Sequence, residues 1–204
     1  FHIRWFTPNQ EVDLCGHATL AAAHVIFSEE NFQGNEITFD SRSGKLTVRK
    51  ENNFLVLNFP ADKMERTTLS QQLIVAFGST PIEAYKGKTD YMLVYSTQEQ
   101  IERIKPDFRK LAEVDARGII VTAKGRDCDF VSRFFAPQCG IDEDPVTGSA
   151  HTSLTPYWSK KLGKVELTAV QLSKRKGHLK CKLLGDRVEI AGEAKLYLRG
   201  EIEI

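Results

Sequence analysis

The sequence predicts an α+β protein of two similar domains related by a pseudo-twofold duplication, each a mixed sheet curled around a central helix. Two observations predict this class. One sequence pattern occurs twice, and each half combines one helical segment with several short strands. With 204 residues the chain fits one large or two small domains, since domains usually hold about 100–200 residues.

The repeated pattern is a strand of arginine and aromatic residues, a proline turn, an acidic loop, and a glycine that opens a helix. The first copy is Arg4-Trp5-Phe6-Thr7-Pro8 with Gly16-His17-Ala18-Thr19-Leu20, and the second is Arg133-Phe134-Phe135-Ala136-Pro137 with Gly148-Ser149-Ala150-His151-Thr152. The arginines are 129 residues apart and the glycines 132. Further matches follow in the same order: Glu36-Ile37-Thr38 with Glu166-Leu167-Thr168, Gly44-Lys45-Leu46 with Gly177-His178-Leu179, and residues 54–57 with 187–190. Duplication explains this constant order.

The apolar pattern breaks at residues 60–68, which places the domain boundary there. We therefore expect a first domain at residues 1–64 and a second at 65–204, with the last strand able to return to the first domain. Only three residues precede Arg4, whereas a long segment precedes its counterpart Arg133. We accordingly expect the first domain to lack its N-terminal part, and a chain that opens on Phe1 rather than Met agrees with this.

Strands are predicted where β-branched, aromatic or alternating apolar residues recur, at 54–59, 118–122, 129–135, 165–172 and 193–199. Helices are predicted at 17–28 and 149–162, with shorter ones ending at Gly78 and within 107–114. The first long helix is apolar on all sides, which predicts full burial. Pro156 lies inside the second and should kink it or shorten its first section, and Gly163 should stop it.

Each long helix begins at a glycine, within Cys15-Gly16-His17-Ala18 and Thr147-Gly148-Ser149-Ala150. A helix N-terminus carries unsatisfied N–H groups and a partial positive charge, so it binds carboxylates or phosphates. In a pseudo-twofold pair the two N-termini can face each other across the domain interface. The sequence thus predicts a small carboxylate substrate, bound by Cys15, Gly16, Thr147 and Gly148.

His17, Asp144 and Ser149 are the candidate catalytic residues. The positive helix end should favour the neutral form of His17, which suits a proton relay; a capping or core histidine is the alternative. Asp144 could accept a proton or orient a substrate amine or hydroxyl, or be an ordinary loop aspartate. Ser149 could donate a hydrogen bond to a substrate carboxylate, or be a common helix-start serine.

The residues around these candidates have simpler interpretations. Glu11, Asp13, Asp142 and Glu143 are interpreted as solvated loop charges. His151, the counterpart of Thr19, is expected to pack or cap. Cys15 could serve as a thiol acid or base, but its counterpart is Thr147, so a two-thiol mechanism is excluded.

Composition excludes several classes of function. The formal charge of +1 gives no electrostatic case for nucleic acid or an anionic membrane surface, and no apolar run approaches the ~20 residues that span a bilayer. The four cysteines form no CxxC or CxxH pair, so we expect no zinc or iron–sulfur site. We expect the thiols to be reduced, in a cytoplasmic protein, and most of them to be small core residues. No P-loop, GxGxxG motif or Ser-His-Asp elbow is present. A homodimer is compatible with the sequence, although no specific feature predicts one.

The chain resembles the PhzF family of phenazine-biosynthesis proteins, which share the diaminopimelate-epimerase-like fold. The motifs that carry the resemblance are Arg4-Trp5-Phe6-Thr7-Pro8, Glu11-Val12-Asp13-Leu14-Cys15-Gly16-His17-Ala18-Thr19 and Glu143-Asp144-Pro145-Val146-Thr147-Gly148-Ser149-Ala150-His151. The resemblance implies cofactor-independent isomerisation, by proton shuttling on a small cyclic or amino-acid-like carboxylate bound between the domains. By position, His17, Asp144 and Ser149 fall on active-site residues of the family, and Gly16 and Gly148 fall on its carboxylate-binding helix starts.

One departure from the family concerns its main catalytic glutamate. The family carries it in a segment resembling Asn-Leu-Ser-Glu-Thr-Ala-Phe, upstream of the Arg-Trp-Phe-Thr-Pro strand, and this sequence contains no such segment. The chain is then either a piece of a longer protein or catalytically dead. We favour a piece, because a half-domain without its first strands leaves sheet edges uncovered. Two alternatives stay open: an amino-acid epimerase or racemase, motivated by Cys15, and a non-catalytic binding or scaffold protein, motivated by the absent glutamate.

Overall fold

The computed structural model describes residues 1–6 and 11–201, so Thr7 and Pro8 of the first motif lie outside the described residues. The helices in this part are α1 Gly16–Glu29, α2 Gln71–Phe77, α3 Gln98–Arg103, α4 Phe108–Leu111 and α5 Gly148–Leu162. The strands are β1 Trp5–Phe6, β2 Glu11–Val12, β3 Glu36–Ser41, β4 Gly44–Glu51, β5 Phe54–Pro60, β6 Glu65–Arg66, β7 Glu83–Lys86, β8 Asp90–Val94, β9 Gly118–Lys124, β10 Phe130–Phe135, β11 Glu166–Gln171, β12 Gly177–Leu184 and β13 Arg187–Gly192.

Eleven of the strands in the described residues form one mixed sheet, in the order β3-β4-β5-β13-β12-β11-β10-β9-β8-β7-β6. Neighbouring strands are antiparallel except for the parallel pairs β8–β9 and β10–β11. Helix α5 packs on β11, β12 and β13, while α1 packs on β5 and α5. The predicted α+β class with a large mixed sheet is confirmed. The domain boundary near residue 64 stays a prediction, because the sheet runs continuously through both halves.

The sequence repeat is visible in the connectivity. In each half a long helix is followed by an antiparallel meander of three strands, α1 by β3-β4-β5 and α5 by β11-β12-β13. The two meanders join through β5 and β13, where Leu57 pairs with Ile190. The repeat equates these two residues with each other. A residue that pairs with its own equivalent lies on the pseudo-twofold axis, so the axis passes through this pair.

Equivalent side chains in the two long helices bond back to the carbonyl four residues earlier in the same way. The Thr19 hydroxyl donates to the carbonyl of Cys15 at 2.6 Å, and Nδ1 of His151 lies 2.8 Å from the carbonyl of Thr147. A carbonyl can only accept, so Nδ1 of His151 carries the proton. Both side chains are fully buried. The prediction that His151 packs or caps as the counterpart of Thr19 is confirmed.

The buried ring of His151 should make stability fall in acid. Burial lowers its pKa to about 4, and its Nε2 lacks a hydrogen-bond partner among the described residues. An unfolded histidine binds its proton below pH ~6.5, so the free energy of unfolding should fall by up to about 3 kcal/mol between pH 6.5 and pH 4. His151→Thr should remove this part of the pH dependence in urea titrations.

The exposed His178→Gln is the matched control for that experiment and should leave the pH dependence unchanged. His17 does not interfere, because its raised pKa contributes stability that is complete below pH ~6.5 and is lost only as the pH rises through about 9. Equal acid sensitivity in the parent and His151→Thr would contradict the prediction.

The motif arginines hold the loops that lead to the long helices. Arg4 binds both carboxylate oxygens of Glu11 at 3.0 and 2.9 Å, and Arg133 binds both oxygens of Glu143 at 2.7 and 3.0 Å. The planar guanidinium matches a carboxylate with two parallel hydrogen bonds. The interpretation of Glu11 and Glu143 as solvated loop charges is therefore wrong.

Helix α5 continues through Pro156 for 15 residues, so the predicted shortening is wrong. Proline has no N–H to donate to the carbonyl of Thr152, four residues earlier. The backbone N–H of Asp62 donates to that carbonyl instead, at 3.1 Å. The predicted stop at Gly163 is confirmed, since this glycine has a φ of 68° and its N–H reaches the carbonyl of Ser159.

The prediction that α1 is fully buried is wrong. Only Gly16, Thr19 and Ala23 are buried among its residues, and Val25 is 41% exposed. The reason is geometric: in the described part of the chain, α1 packs on β5 and the start of α5, and these elements lie on one side of it. Several apolar side chains of α1 are therefore not buried by the elements that the structure describes.

The strand predicted at 193–199 is also wrong, because β13 ends at Gly192 and residues 193–201 form no regular structure. No strand of the described residues pairs with residues 193–199. A strand forms only where another strand accepts its backbone hydrogen bonds. The other predicted strands, the helix ending at Gly78 and the short helix within 107–114 are confirmed.

Candidate functional site

The N-termini of α1 and α5 meet at Gly16 and Gly148. A Cβ added to Gly16 would lie 2.8 Å from the Cα of Gly148, and a Cβ added to Gly148 would lie 2.9 Å from the Cα of Gly16. Side-chain carbons do not approach backbone atoms this closely, so the contact requires glycine on both sides. The ring of Phe59, which is fully buried, lies below both positions. We call this contact the glycine junction.

The glycine junction concentrates positive potential. Each helix N-terminus carries the equivalent of roughly half an elementary charge, and here two such ends face one another. Neither helix has an acidic residue in its first turn, and within the described residues neither Cys15 nor Thr147 caps its helix through its side chain. The first-turn N–H groups of both helices thus have no side-chain cap. Such an arrangement favours an anion.

A cavity of about 950 Å³ opens beside the glycine junction. Gly16, His17, Val146 and Gly148 line the end of the cavity at the junction, and the cavity continues along β11, β12 and β13. Binding sites for small molecules usually measure about 300–1,000 Å³, so the space admits a ring-sized substrate. The structure therefore places His17 and both glycines against one cavity.

His17 is positively charged in this setting, contrary to the predicted neutral ring. The sulfur of Cys15 lies 3.6 Å from Nε2 and 3.8 Å from Nδ1. This sulfur raises the pKa of His17 to about 9, and the carboxylate of Asp144 and the backbone of Val146 also favour the charged ring. Together they outweigh the effect of burial, which lowers the pKa. His17 thus adds a cation to the glycine junction and can donate a proton.

Asp144 and Thr147 belong to a buried hydrogen-bond network with Gln171. The Thr147 hydroxyl donates to the Asp144 carboxylate, and Nε2 of Gln171 donates to the Asp144 carbonyl at 2.8 Å. Oε1 of Gln171 accepts from the backbone N–H of Thr147 at 2.8 Å. Each polar group is partnered inside the core, so the network fixes the loop that starts α5. Sequence reasoning missed Gln171.

Ser149 faces an ion pair rather than the cavity. Its hydroxyl oxygen accepts from Nη2 of Arg117 at 3.1 Å. Arg117 also forms two hydrogen bonds with the carboxylate of Asp90, one of them at 2.9 Å from Nε to Oδ1. Asp90 is only 2% exposed. Sequence reasoning missed both charged residues, since no motif links positions 90 and 117.

The remaining expectations concern metals, membranes and thiols. Across residues 1–6 and 11–201, no cluster of three metal-ligating side chains occurs, and no helix is long and apolar enough to cross a membrane. Of the four cysteines only Cys181 is buried in the core, so the expectation of mostly core thiols is wrong. Cys15 is half-buried at the start of α1, beside His17.

The fold and the site together define a class: a duplicated α+β protein with two helix N-termini at one cleft. The sequence matches the PhzC-PhzF family, described as phenazine biosynthesis-like protein, over residues 1–200. The chain belongs to this family. The resemblance seen in the motifs is thereby confirmed.

Relatives and solved structures agree with this assignment. An uncharacterized isomerase of Pseudomonas aeruginosa is 51% identical over 205 residues, which cover 100% of this chain and 78% of the relative. The crystal structure of a PhzF family protein from Enterococcus faecalis has a TM-score of 0.94 at 44% identity, covering 100% of this chain and 78% of that one. A hydroxyproline epimerase from Agrobacterium vitis shares the fold alone, with a TM-score of 0.59 at 12% identity over 96% of this chain and 68% of that one.

Proposed function

We propose that the protein is a cofactor-independent isomerase of the PhzF type, which shuttles a proton on a small cyclic or amino-acid-like carboxylate. The glycine junction is the observation that supports the proposal. Two uncapped helix N-termini and a charged His17 converge beside one cavity, and this arrangement suits a carboxylate. The name isomerase carried by relatives supports the reaction class.

In this proposal the groups of the site have distinct roles. The N–H groups of both helix starts hold the substrate carboxylate. The hydroxyl oxygen of Ser149 accepts from Arg117, so its own proton remains available to a substrate oxygen once the substrate reaches α5. His17 supplies a proton, and Asp144 orients a substrate amine or hydroxyl. A glutamate upstream of Phe1, implied by the family resemblance, moves the substrate proton.

The direct test is deuterium wash-in. The full-length protein is incubated in heavy water with a panel of cyclic amino and hydroxy acids, and loss of a substrate C–H signal is followed by proton NMR. We expect exchange at a carbon-bound hydrogen near the carboxylate of at least one compound. No exchange across the panel would contradict the isomerase and favour the non-catalytic scaffold.

Substitutions at the network test the role of Asp144. Asp144→Asn should lower the exchange rate about 100-fold, since a small misplacement of the substrate can cost about that much. Asp142→Asn, two residues away in an exposed position, is the matched control and should keep the parent rate. An Asp144→Asn variant that exchanges as fast as Asp142→Asn would exclude a catalytic Asp144.

An amino-acid epimerase is the second candidate, favoured by the contact between Cys15 and His17. Thr147 at the equivalent position of the other helix weighs against it, because a two-thiol mechanism needs cysteine there. Cys15→Ser separates the two in the same exchange assay. An epimerase that uses this thiol should lose activity, whereas a glutamate-driven isomerase should retain it.

The carboxylate substrate and a cytoplasmic location are part of the proposal. The location rests on a sequence that has only four cysteines and no CxxC motif, which is typical of a reducing compartment. Fractionation of cells that express the full-length protein would test it.

A further inference from the structure

The turn between β11 and β12 carries three cations in a row, Lys174, Arg175 and Lys176, and we call these residues the basic turn. We propose that the basic turn binds a second anionic group of the substrate, a carboxylate or a phosphate, so that the substrate is a dianion. This role rests on the proposed function, because the first anionic group is the carboxylate at the glycine junction.

The basic turn is an insertion relative to the first half of the molecule. The equivalent turn between β3 and β4 has two residues, 42–43, whereas the turn between β11 and β12 has five, 172–176. The repeat offset is 130 residues at the starts of β3 and β11, and it is 133 at Gly44 and Gly177, where β4 and β12 begin. The second turn is thus three residues longer than the first.

Two equivalent serines locate the insertion. The Ser43 hydroxyl donates to the carbonyl of Asp13 at 2.8 Å, and the Ser173 hydroxyl donates to the carbonyl of Pro145 at 2.7 Å. Asp13 and Pro145 are themselves equivalent, since each lies three residues before the glycine that opens its helix. In the first half a glycine follows the serine directly, whereas in the second half the basic turn lies between them. The inserted residues are therefore the three cations.

The basic turn is held against the loop that starts α5. Besides the hydrogen bond of Ser173, a Cβ added to Gly177 would lie 2.4 Å from a methyl carbon of Val146, so the start of β12 packs tightly on this loop. Val146 is two residues before Gly148, at most about 8 Å along the backbone. Lys176 lines the same cavity as Gly148. A ligand of several carbons that is held at the glycine junction therefore extends toward the basic turn.

The charges of the cavity favour a dianion. The three side chains of the basic turn are exposed, and within residues 1–6 and 11–201 they form no ion pair. Lys176, Lys180 and the charged His17 line the cavity, and its acidic lining residues are Asp127 and Glu193. Three cations thus face two carboxylates, and the other two cations of the basic turn, next to Lys176 in the chain, add to this excess. A positive site attracts a dianion more strongly than a monoanion.

The test compares the binding of dianions and monoanions to the full-length protein. The probes are succinate, glutarate and adipate, each against its own monomethyl ester, which has a similar length and lacks one charge. Dissociation constants come from the amide NMR shifts of residues 16–18 and 148–150. At least one dicarboxylate should bind about tenfold more tightly than its ester, since each exposed ion pair contributes little and several act together. Phosphonoacetate, compared with succinate, distinguishes a phosphate-like second group from a carboxylate.

Two variants remove the basic turn in different ways. Deletion of residues 174–176 gives the second turn the length of the first. The triple variant Lys174→Gln, Arg175→Gln, Lys176→Asn keeps the length, and asparagine suits position 176 because the φ there is 56°. Each variant should reduce the preference for the dicarboxylate to about twofold or less, while the ester binds as in the parent.

The matched control removes the same charge elsewhere. Lys88→Gln, Lys105→Gln and Lys160→Gln together neutralise three exposed lysines that do not line the cavity, so this variant should keep the parent preference. Equal binding of every dicarboxylate and its ester in the parent would overturn the proposal. So would a tenfold preference that persists in either variant of the basic turn.

The same measurements separate this proposal from the proposed function. If the esters shift the amides of the glycine junction and only the preference for a second charge is missing, the basic turn has no role and the carboxylate site stands. If no probe shifts these amides, the glycine junction binds no carboxylate and both proposals fail.

Discussion

Gly148→Ala is expected to lower the free energy of unfolding by about 2–3 kcal/mol and to abolish anion binding at the glycine junction. Local propensity predicts the opposite sign, because alanine is a better helix former than glycine by about 1 kcal/mol. The added methyl group, however, would lie 2.9 Å from the Cα of Gly16. The neighbour is backbone and cannot rotate away, so the two helix starts must separate.

Urea titration measures the stability of this variant, and the amide NMR shifts of residues 16–18 and 148–150 measure its response to a carboxylate such as acetate. Gly200→Ala is the control, because a Cβ there meets open space. It should change neither quantity. A Gly148→Ala protein as stable as the control, with an intact response to acetate, would show that the junction is looser than the structure describes.

Arg117→Ala is expected to cost about 3–5 kcal/mol of stability. The substitution leaves the carboxylate of Asp90, whose side chain is 3% exposed, without its partner in the interior. A buried charge that loses its partner retains the full cost of its desolvation. The same change removes the donor to Ser149, so the hydroxyl of Ser149 becomes free to rotate.

The double variant Arg117→Met with Asp90→Asn separates these effects. It removes both charges, so it should recover more than half of the stability lost in Arg117→Ala, while Ser149 still lacks its donor. Arg126→Ala is the matched control, because the ion pair of Arg126 with Glu102 is exposed and should be worth no more than about 1 kcal/mol. A loss in Arg117→Ala as small as in Arg126→Ala would contradict the prediction.

The duplicated architecture could be predicted from the sequence because duplication leaves many matching residues in the same order in both halves. Gly16 and Gly148, or residues 57 and 190, match at nearly constant offset, so their spatial relation follows from symmetry alone. Gln171 could also have been found. It follows Leu167 and Ala169 on the buried face of β11, where an uncharged polar residue needs a partner.

Other features follow only from three-dimensional packing. The charge of His17 depends on its distances to Cys15 and Asp144, which no spacing along the chain provides. Arg117 and Asp90 meet because β8 and β9 pair in parallel, with Asp90 opposite Gly118. The alternation at residues 193–199 is a local preference, and it produces no strand because no strand of the described residues pairs with this segment.

The symmetry axis has a consequence for how this sequence can change. Away from the axis the two halves are free to diverge, as Cys15 and Thr147 or Thr19 and His151 have done. On the axis each residue is the neighbour of its own counterpart, so both positions share one volume. A larger side chain at position 57 can be compensated by a smaller one at position 190. Gly16 and Gly148 have no side chain, so no such compensation is possible between them. The two helix starts are thus the positions at which both halves of the duplicated chain must keep the same residue, glycine.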